Sequence, residues 1–298
     1  MAGMSEDVLD RFDSIRRFSR GGQAAPHKPL LLLYALAQLK NEGAERITFN
    51  EAEKVVDPLL RTYGSFRKTP TVAHPFVRLA NDRGRFWWIE DHTKTPSGDL
   101  LISEARERNL KAGFSEDVLQ AFRENPKLID LLAINLLDRN FPPSLHADIL
   151  ERVGLHLGQD EFEAVLRRKR DPRFRVAVLS AYYEQCAICR YDLRLNGAPV
   201  ALDAAHIKMH SAGGPDEVPN GLALCSLHHK LFDLGVLTVD PKYEILVSDH
   251  VVGEWGRRLQ DSLHGKPIAL PRRDTDFPAE KYLTWHKRNI FKQASVQS

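Results

Sequence analysis

All three cysteines of this 298-residue chain fall into two matched spacings. Cys186 and Cys189 form a Cys-x-x-Cys pair, and Cys225 and His228 repeat that spacing after a long insertion. Thiolates and an imidazole in two x-x pairs suit tetrahedral zinc, which needs no open position when its role is structural. A second histidine, His229, stands directly beside His228. On a helix it is turned by about 100° from its neighbour, so it can point into a different site. Upstream, His206 ends the stretch LDAAH, and Asn220 opens an Asn-Gly step. Taken singly, each of these three has an ordinary explanation: a hydrogen-bonded strand histidine, a turn asparagine and a helix-surface histidine.

The elements that must position these residues can be read from pattern. The second half opens with an apolar helix, RFRVAVLSAYY, and runs into the cysteine pair. It continues with PVALDAAHI as a strand, HSAGGPDEVPNG as a loop, LALCSLHHKLFDLG as a helix and LTVDPKYEILVS as a hairpin. In the first half, residues 1 to about 20 space Val8, Leu9, Phe12, Ile15 and Phe18 as an amphipathic helix. Pro29 suits the first turn of the next helix, Leu30 to Asn41. ITFNEAEKVVDPLLRTYG reads as a short strand, an Asn-capped helix and a glycine stop. A hairpin is expected from Phe76 to Leu79 and Phe86 to Ile89 around a turn at Asn81 to Gly84. One helix is expected from about Glu116 to Asp138, and NFPPS stops it and starts the last helix of this half. The composition turns charged from Gly158 to Arg170, which places a boundary near residue 160 and two domains at 1–160 and 161–298.

The formal net charge of +2 permits nucleic-acid binding without demanding it. Basic clusters at Arg16, Arg17 and Arg20, at Arg167 to Arg170 and at Arg272 and Arg273 fit either phosphate contacts or solvated helix faces. An odd, small number of cysteines in metal spacing fits a reducing compartment better than a disulfide framework, so a cytoplasmic location is expected. The N-terminal residues lack an apolar signal core, and the run LLLLYALAQL is too short to span a bilayer.

His206, Asn220 and His229, in that order across strand, loop and helix, resemble the HNH nuclease motif. LDAAHI, NGLALC, HHKLFDLGVL and YLTWHKRNIFK are similar to the McrA-like branch of those endonucleases. The resemblance implies a ribbon and helix gripping one divalent metal, such as Mn2+ or Mg2+. It makes His206 the general base, Asn220 the residue that orients the loop and His229 a ligand of the catalytic metal. His228 then completes the structural zinc set. The chemistry is apt, because phosphodiester cleavage needs a water deprotonated near neutral pH and a cation to stabilise the leaving 3′ oxygen. The sequence departs from the common motif at Ala205, where a metal ligand usually precedes the base. Asp203 is one replacement, and it requires a bulge, since three positions along a regular strand lead to the opposite face. Asp233 is the other, and one helical turn after His229 it can equally support that histidine.

APHKPLLLLYAL, HPFVRLANDRGRFWWIE and FPPSLHADILERVGL resemble the sulfur-binding domain of type IV restriction enzymes that recognise phosphorothioated DNA. Sulfur in place of a non-bridging oxygen is more polarisable and a poorer hydrogen-bond acceptor, so a pocket with an apolar floor and cationic rim prefers it. The resemblance assigns that pocket to His74, Pro75, Val77 and Arg78, with His27 and Lys28 supplying donors and charge; Arg16, Arg17 and Arg20 are expected on unmodified phosphates or on a solvated face. His74 stands where the family often has an aromatic residue. The fold expected is therefore α+β: a mainly helical sulfur-binding domain with a small hairpin, then an HNH domain of the ββα-metal type with structural zinc. The function expected is a phosphorothioate-dependent endonuclease acting on double-stranded DNA, as a homodimer if both strands are cut. Two alternatives stand beside it. The first domain could read a methylated base through an aromatic cage, for which Trp87 and Trp88 are the candidates, or the chain could be a non-catalytic zinc-dependent DNA-binding regulator.

Overall fold

The computed structural model describes residues 8–12, 15, 19–20, 23–24, 26–64, 71–158 and 172–293. Arg16, Arg17 and the cluster Arg167 to Arg170 lie outside them; Arg20 is described in its backbone alone. The chain divides into two compact units, Met1–Ser19 with Ala24–Arg167, and Arg20–Gln23 with Arg168–Ser298.

The first unit is built around α1 (His27–Glu42), in which every residue from Pro29 to Ala37 is buried. A helix apolar on all sides must be surrounded, and α2 (Phe49–Tyr63), α3 (Ala73–Arg78), α6 (Lys127–Asn140) and α7 (Pro143–Val153) pack against it. Gly43, at φ 67°, ends α1 in the left-handed conformation that glycine adopts without strain. Residues 8–12 are helical, but the expected helix does not reach Arg20, because β1 (Ser19–Arg20) pairs with β2 (Gln23–Ala24). The small antiparallel sheet runs in the order β3 (Ile47–Thr48), β5 (Lys111–Phe114), β4 (Trp87–Ile89), with Ile47 opposite Ala112 and Trp87 opposite Phe114. Between β4 and β5 lies the short α4 (Ile102–Glu107).

Three expectations fail here, each for a local reason. The hairpin arm at Phe76 to Leu79 is instead the end of α3 and a 3-10 turn. Val72, Ala73, Phe76, Val77 and Leu79 are all buried, a helical rather than alternating pattern, and Asp57 Oδ1 accepts the Val72 N–H at 2.7 Å as the chain enters the helix. The cap of α2 is Thr48, not an asparagine, and its hydroxyl donates to Glu51 Oε2 at 2.7 Å. The long helix expected after Glu116 is two, α5 (Glu116–Glu124) and α6. Pro126 lacks an N–H and forces Asn125 out of helical geometry, to φ −138° and ψ 84°.

In the second unit, α8 (Pro172–Ala181) leads to the cysteine turn and a minimal hairpin of β6 (Arg194–Leu195) and β7 (Ala198–Pro199). Its central feature is the antiparallel ribbon of β8 (Leu202–His206) and β9 (Gly221–Cys225), with Leu202 opposite Cys225 and His206 opposite Gly221. The segment LALC was expected to begin the following helix, yet with Gly221 it forms β9, and the helix, α9 (Ser226–Asp233), starts only at Ser226. All five β9 residues are buried, and a continuous apolar run reads the same in a buried strand as in a buried helix. The hairpin β10 (Leu237–Val239) and β11 (Ile245–Val247) forms where expected, and α10 (Gly253–Leu263) and α11 (Glu280–Asn289) complete the unit. Among the described residues no helix is long and apolar enough to cross a membrane.

Candidate nuclease and DNA-reading sites

Cys186, Cys189, Cys225 and His228 converge, with one donor atom of each lying within 4.8 Å of the others. The cysteines come from the turn after α8 and the end of β9, and His228 comes from the first turn of α9. Cys189 Sγ lies 3.9 Å from Cys225 Sγ, while His228 Nδ1 lies 3.3 Å from Cys225 Sγ and 3.6 Å from Cys186 Sγ. Tetrahedral bonds of about 2.3 Å to sulfur and 2.0–2.1 Å to nitrogen put neighbouring donors about 3.6–3.8 Å apart, so the four residues fit a metal ion of zinc's size. All three thiols are free of disulfides. Hydrogen bonding from Cys225 and His228 pulls the Cys186 thiol well down against the opposing effect of burial, and the same contact pushes Cys225 up.

His206 and His229 are placed by the ribbon and by α9. The ring of His206 stacks on Phe174 of α8, with centroids 4.2 Å apart, and its Nε2 is 2.6 Å from Asp216 Oδ1. Gly221, opposite His206, makes this approach possible: a Cβ there would stand 2.4 Å from Val178 Cγ2 and 3.1 Å from the Phe174 ring. Asn220 is fully buried, and its amide stitches the loop together. Its Oδ1 accepts the Lys208 N–H at 2.8 Å, and its Nδ2 donates to the carbonyls of Lys208 at 3.0 Å and Pro215 at 2.9 Å. His229 is buried, with Nε2 3.2 Å from Asp233 Oδ2 one turn later. The two adjacent histidines of α9 thus face different partners.

The bulge that Asp203 would require is not present. The register is unbroken from Leu202 to His206, which leaves Asp203 on the face opposite His206, with Oδ1 3.4 Å from Arg175 Nε. Among the described residues, no group of three metal-binding side chains other than the Cys3His set converges. Behind α9, His286 of α11 stacks on Phe232 at 3.6 Å and holds Thr238 Oγ1 at 2.8 Å. Burial, opposed by the charge of Asp233 and by the Phe232 carbonyl, pushes the His286 imidazole down to about 3.

In the first unit, His27 and Lys28 open α1, and the Lys28 ammonium lies 2.7 Å from both oxygens of the buried Asp82. Pro75 and Val77 are buried in α3, whereas His74 and Arg78 are about half exposed. Arg78 grips Asp99 with Nε to Oδ1 at 2.8 Å and Nη2 to Oδ2 at 3.0 Å, and His74 Nδ1 is 3.4 Å from the same Oδ1. Burial raises the Asp99 carboxyl, but hydrogen bonds from Arg78 and Ser97 outweigh it and hold the group below its ordinary value. The tryptophan pair does not make a cage: Trp87 is buried, its Nε1 donating to the Phe76 carbonyl at 3.1 Å, while Trp88 is exposed with Arg46 lying 4.8 Å over its ring.

Sequence reasoning missed Asp216, Asp82 and Asp99. Asp216 sits in the loop between His206 and Asn220, and a carboxylate inside that loop was the available signal; Asp82 and Asp99 carry no spacing relation to their partners.

The family of ScoMcrA-like DNA sulfur-binding domains matches residues 5–158, and the HNH endonuclease family matches residues 186–240. Among solved structures, a sulfur-binding domain of ScoMcrA complexed with phosphorothioated DNA is 27% identical, with a TM-score of 0.43, covering 50% of this chain and 95% of that one. The type IV phosphorothioation-dependent restriction endonuclease ScoMcrA is 25% identical, with a TM-score of 0.43, covering 57% of this chain and 33% of that one. The sulfur-binding domain of SprMcrA complexed with phosphorothioated DNA is 20% identical, with a TM-score of 0.42, covering 53% of this chain and 96% of that one. Among curated proteins no match is found. With the first match spanning just over half of its residues, the chain belongs to the ScoMcrA-like DNA sulfur-binding family and carries an HNH endonuclease domain behind that module.

Proposed function

We propose that the protein is a modification-dependent DNA endonuclease whose residues 1–160 recognise phosphorothioated duplex DNA and whose residues 161–298 hydrolyse a phosphodiester bond nearby. One observation carries the reading: the DNA sulfur-binding match and the HNH match stand in one chain, and His206, Asn220 and His229 all fall inside the second. In the reader, the HPFVR stretch of α3 faces the modified phosphate, with His27 beside it. Free thiols in metal spacing suit a reducing, cytoplasmic setting.

In the cutter, His206 acts as general base. It accepts a proton from the attacking water as that oxygen bonds to phosphorus and the bond to the 3′ oxygen breaks. Asp216 engages the Nε2 side of the ring and Phe174 supports its face, so the base is held in one orientation. Asn220 closes the loop that carries Asp216. His229, oriented by Asp233, would hold a divalent ion such as Mn2+ or Mg2+, which would supply stabilisation of charge on the leaving oxygen. Cys186, Cys189, Cys225 and His228 hold a structural zinc that fixes the start of α9 and hence the position of His229. Cutting both strands requires two such centres, supplied by a homodimer.

The reader is tested by titrating salt against binding of modified and unmodified copies of one duplex. Phosphate contacts are shared and weaken together through counterion release, whereas the preference for sulfur rests on an uncharged difference in hydration. The modified duplex should bind more tightly at every salt concentration, and Pro75→Ser should reduce the ratio. Equal binding of the two duplexes throughout would remove the sulfur-reading proposal.

A further inference from the structure

Asp99 lies within the matched span 5–158 but outside the HPFVR stretch, and it faces two residues of that stretch. It ends a tight loop closed by the Lys94 to Leu100 bridge, in which the Thr95 N–H donates to the Asp99 carbonyl at 2.9 Å and the Asp99 N–H donates to Thr95 Oγ1 at 3.0 Å. Ser97 Oγ donates to Oδ2 at 3.1 Å, so the carboxylate is aimed as well as placed. It faces α3, where it takes the Arg78 guanidinium in a two-point grip at 2.8 and 3.0 Å. His74 Nδ1, 3.4 Å from Oδ1, is a buried atom that makes no hydrogen bond among the described residues. The polar residues of HPFVR thus converge on one carboxylate, while Pro75 and Val77 between them are buried.

We propose that Asp99 is a specificity-determining residue of the reader, withholding Arg78 from ordinary phosphate so that discrimination rests on sulfur. The inference rests on the proposal that HPFVR faces the modified linkage. An Arg guanidinium matches two phosphate oxygens with two charge-assisted hydrogen bonds, which an unmodified linkage can accept in full. Sulfur is a poorer acceptor, so a released Arg78 would help the unmodified linkage more than the modified one. The negative charge of Asp99 repels both linkages alike, and denying the hydrogen bonds does not. A carboxylate that occupies Arg78 therefore costs oxygen more than sulfur, and it sharpens the ratio while lowering both affinities.

The test is the full chain carrying Asp99→Asn, titrated with salt against modified and unmodified duplex, beside wild type, Asp99→Glu and the double variant Arg78→Ala/Asp99→Asn. Asn keeps the shape of the side chain without its charge. Asp99→Asn should bind unmodified duplex about tenfold more tightly and modified duplex less than about threefold more tightly, so the ratio falls. The slope of log affinity against log salt for unmodified duplex should steepen by about 0.9, the signature of one added phosphate contact. The double variant should lose both changes, and Asp99→Glu should stay near wild type. If wild type prefers modified duplex but Asp99→Asn leaves ratio and slope unchanged, the inference is overturned and the sulfur-reading proposal stands. If wild type shows no preference, there is no discrimination for Asp99 to set, and both fall together.

Discussion

His228 and His229 are neighbours in α9, yet they face opposite situations. His228 Nδ1 lies 3.3 and 3.6 Å from two thiols and within 4.8 Å of the third, a set that can enclose a tetrahedral ion, whereas His229 lies against the Asp233 carboxylate, and no group of three metal-binding side chains forms there among the described residues. A donor set that closes on itself can serve a fold, and one that must draw its remaining partners from water and DNA can serve a reaction. The first unit repeats the contrast with two cation–carboxylate pairs. Lys28 and Asp82 meet largely buried, at 15% and 2% side-chain exposure, whereas Arg78 and Asp99 meet at a half-exposed edge.

The largest expected effect follows from opening the closed set. Cys189→Ala removes a ligand of the proposed zinc, and with it the folding free energy that metal binding would supply. Metal analysis should find about one tightly held zinc per wild-type chain and none in the variant, whose residues 168–298 should become protease-sensitive. Opening the other set should do something different. His206→Ala and His229→Ala should retain zinc, fold and DNA binding while cleavage falls by roughly 10²–10⁴. Full activity in either variant would end the HNH assignment. Next comes the buried pair. Lys28→Met leaves Asp82 buried at 2% side-chain exposure without its cation, a change of about 3–5 kcal/mol in thermal or denaturant unfolding, whereas Arg78→Ala should cost less than about 1 kcal/mol.

The last effect is graded in pH. His286 stays neutral in the folded unit until pH about 3, while in the unfolded chain it takes a proton near its ordinary 6.5. The unfolded state therefore binds more protons across that window, and stability should fall as pH drops from 6.5 toward 3, by at most about 1.4 kcal/mol per unit. Unfolding midpoints measured across that range should flatten in His286→Phe; an unchanged pH slope would mean that another group titrates.

The parts of the molecule that could be read in the sequence were those whose chemistry is set by local spacing. Within each of the Cys-x-x-Cys and Cys-x-x-His pairs the spacing is local and readable, while the two pairs are brought together by packing, the Ala187 N–H donating to the Ala223 carbonyl of β9. The adjacent histidines of one helix had to diverge. Long-range partners left no such trace: Asp216 reaches His206 across a loop, and Asp99 is set opposite Arg78 by tertiary packing alone. Element type failed where a run was apolar throughout. GLALC pairs with β8 as a strand, and the arm of the expected hairpin is α3, with Val72, Ala73, Phe76, Val77 and Leu79 buried at helical spacing. Pro126 was visible in the sequence, but the apolar periodicity continues across it, and periodicity alone does not register a missing N–H.

The most direct test of the central claim is cleavage of one plasmid, prepared with and without phosphorothioate linkages, by wild type and His206→Ala in the presence of Mn2+. The account predicts that wild type cuts the modified plasmid and spares the unmodified one, and that His206→Ala binds the modified plasmid without cutting it. Equal cutting of both plasmids by wild type, or cutting by His206→Ala at the wild-type rate, would contradict it.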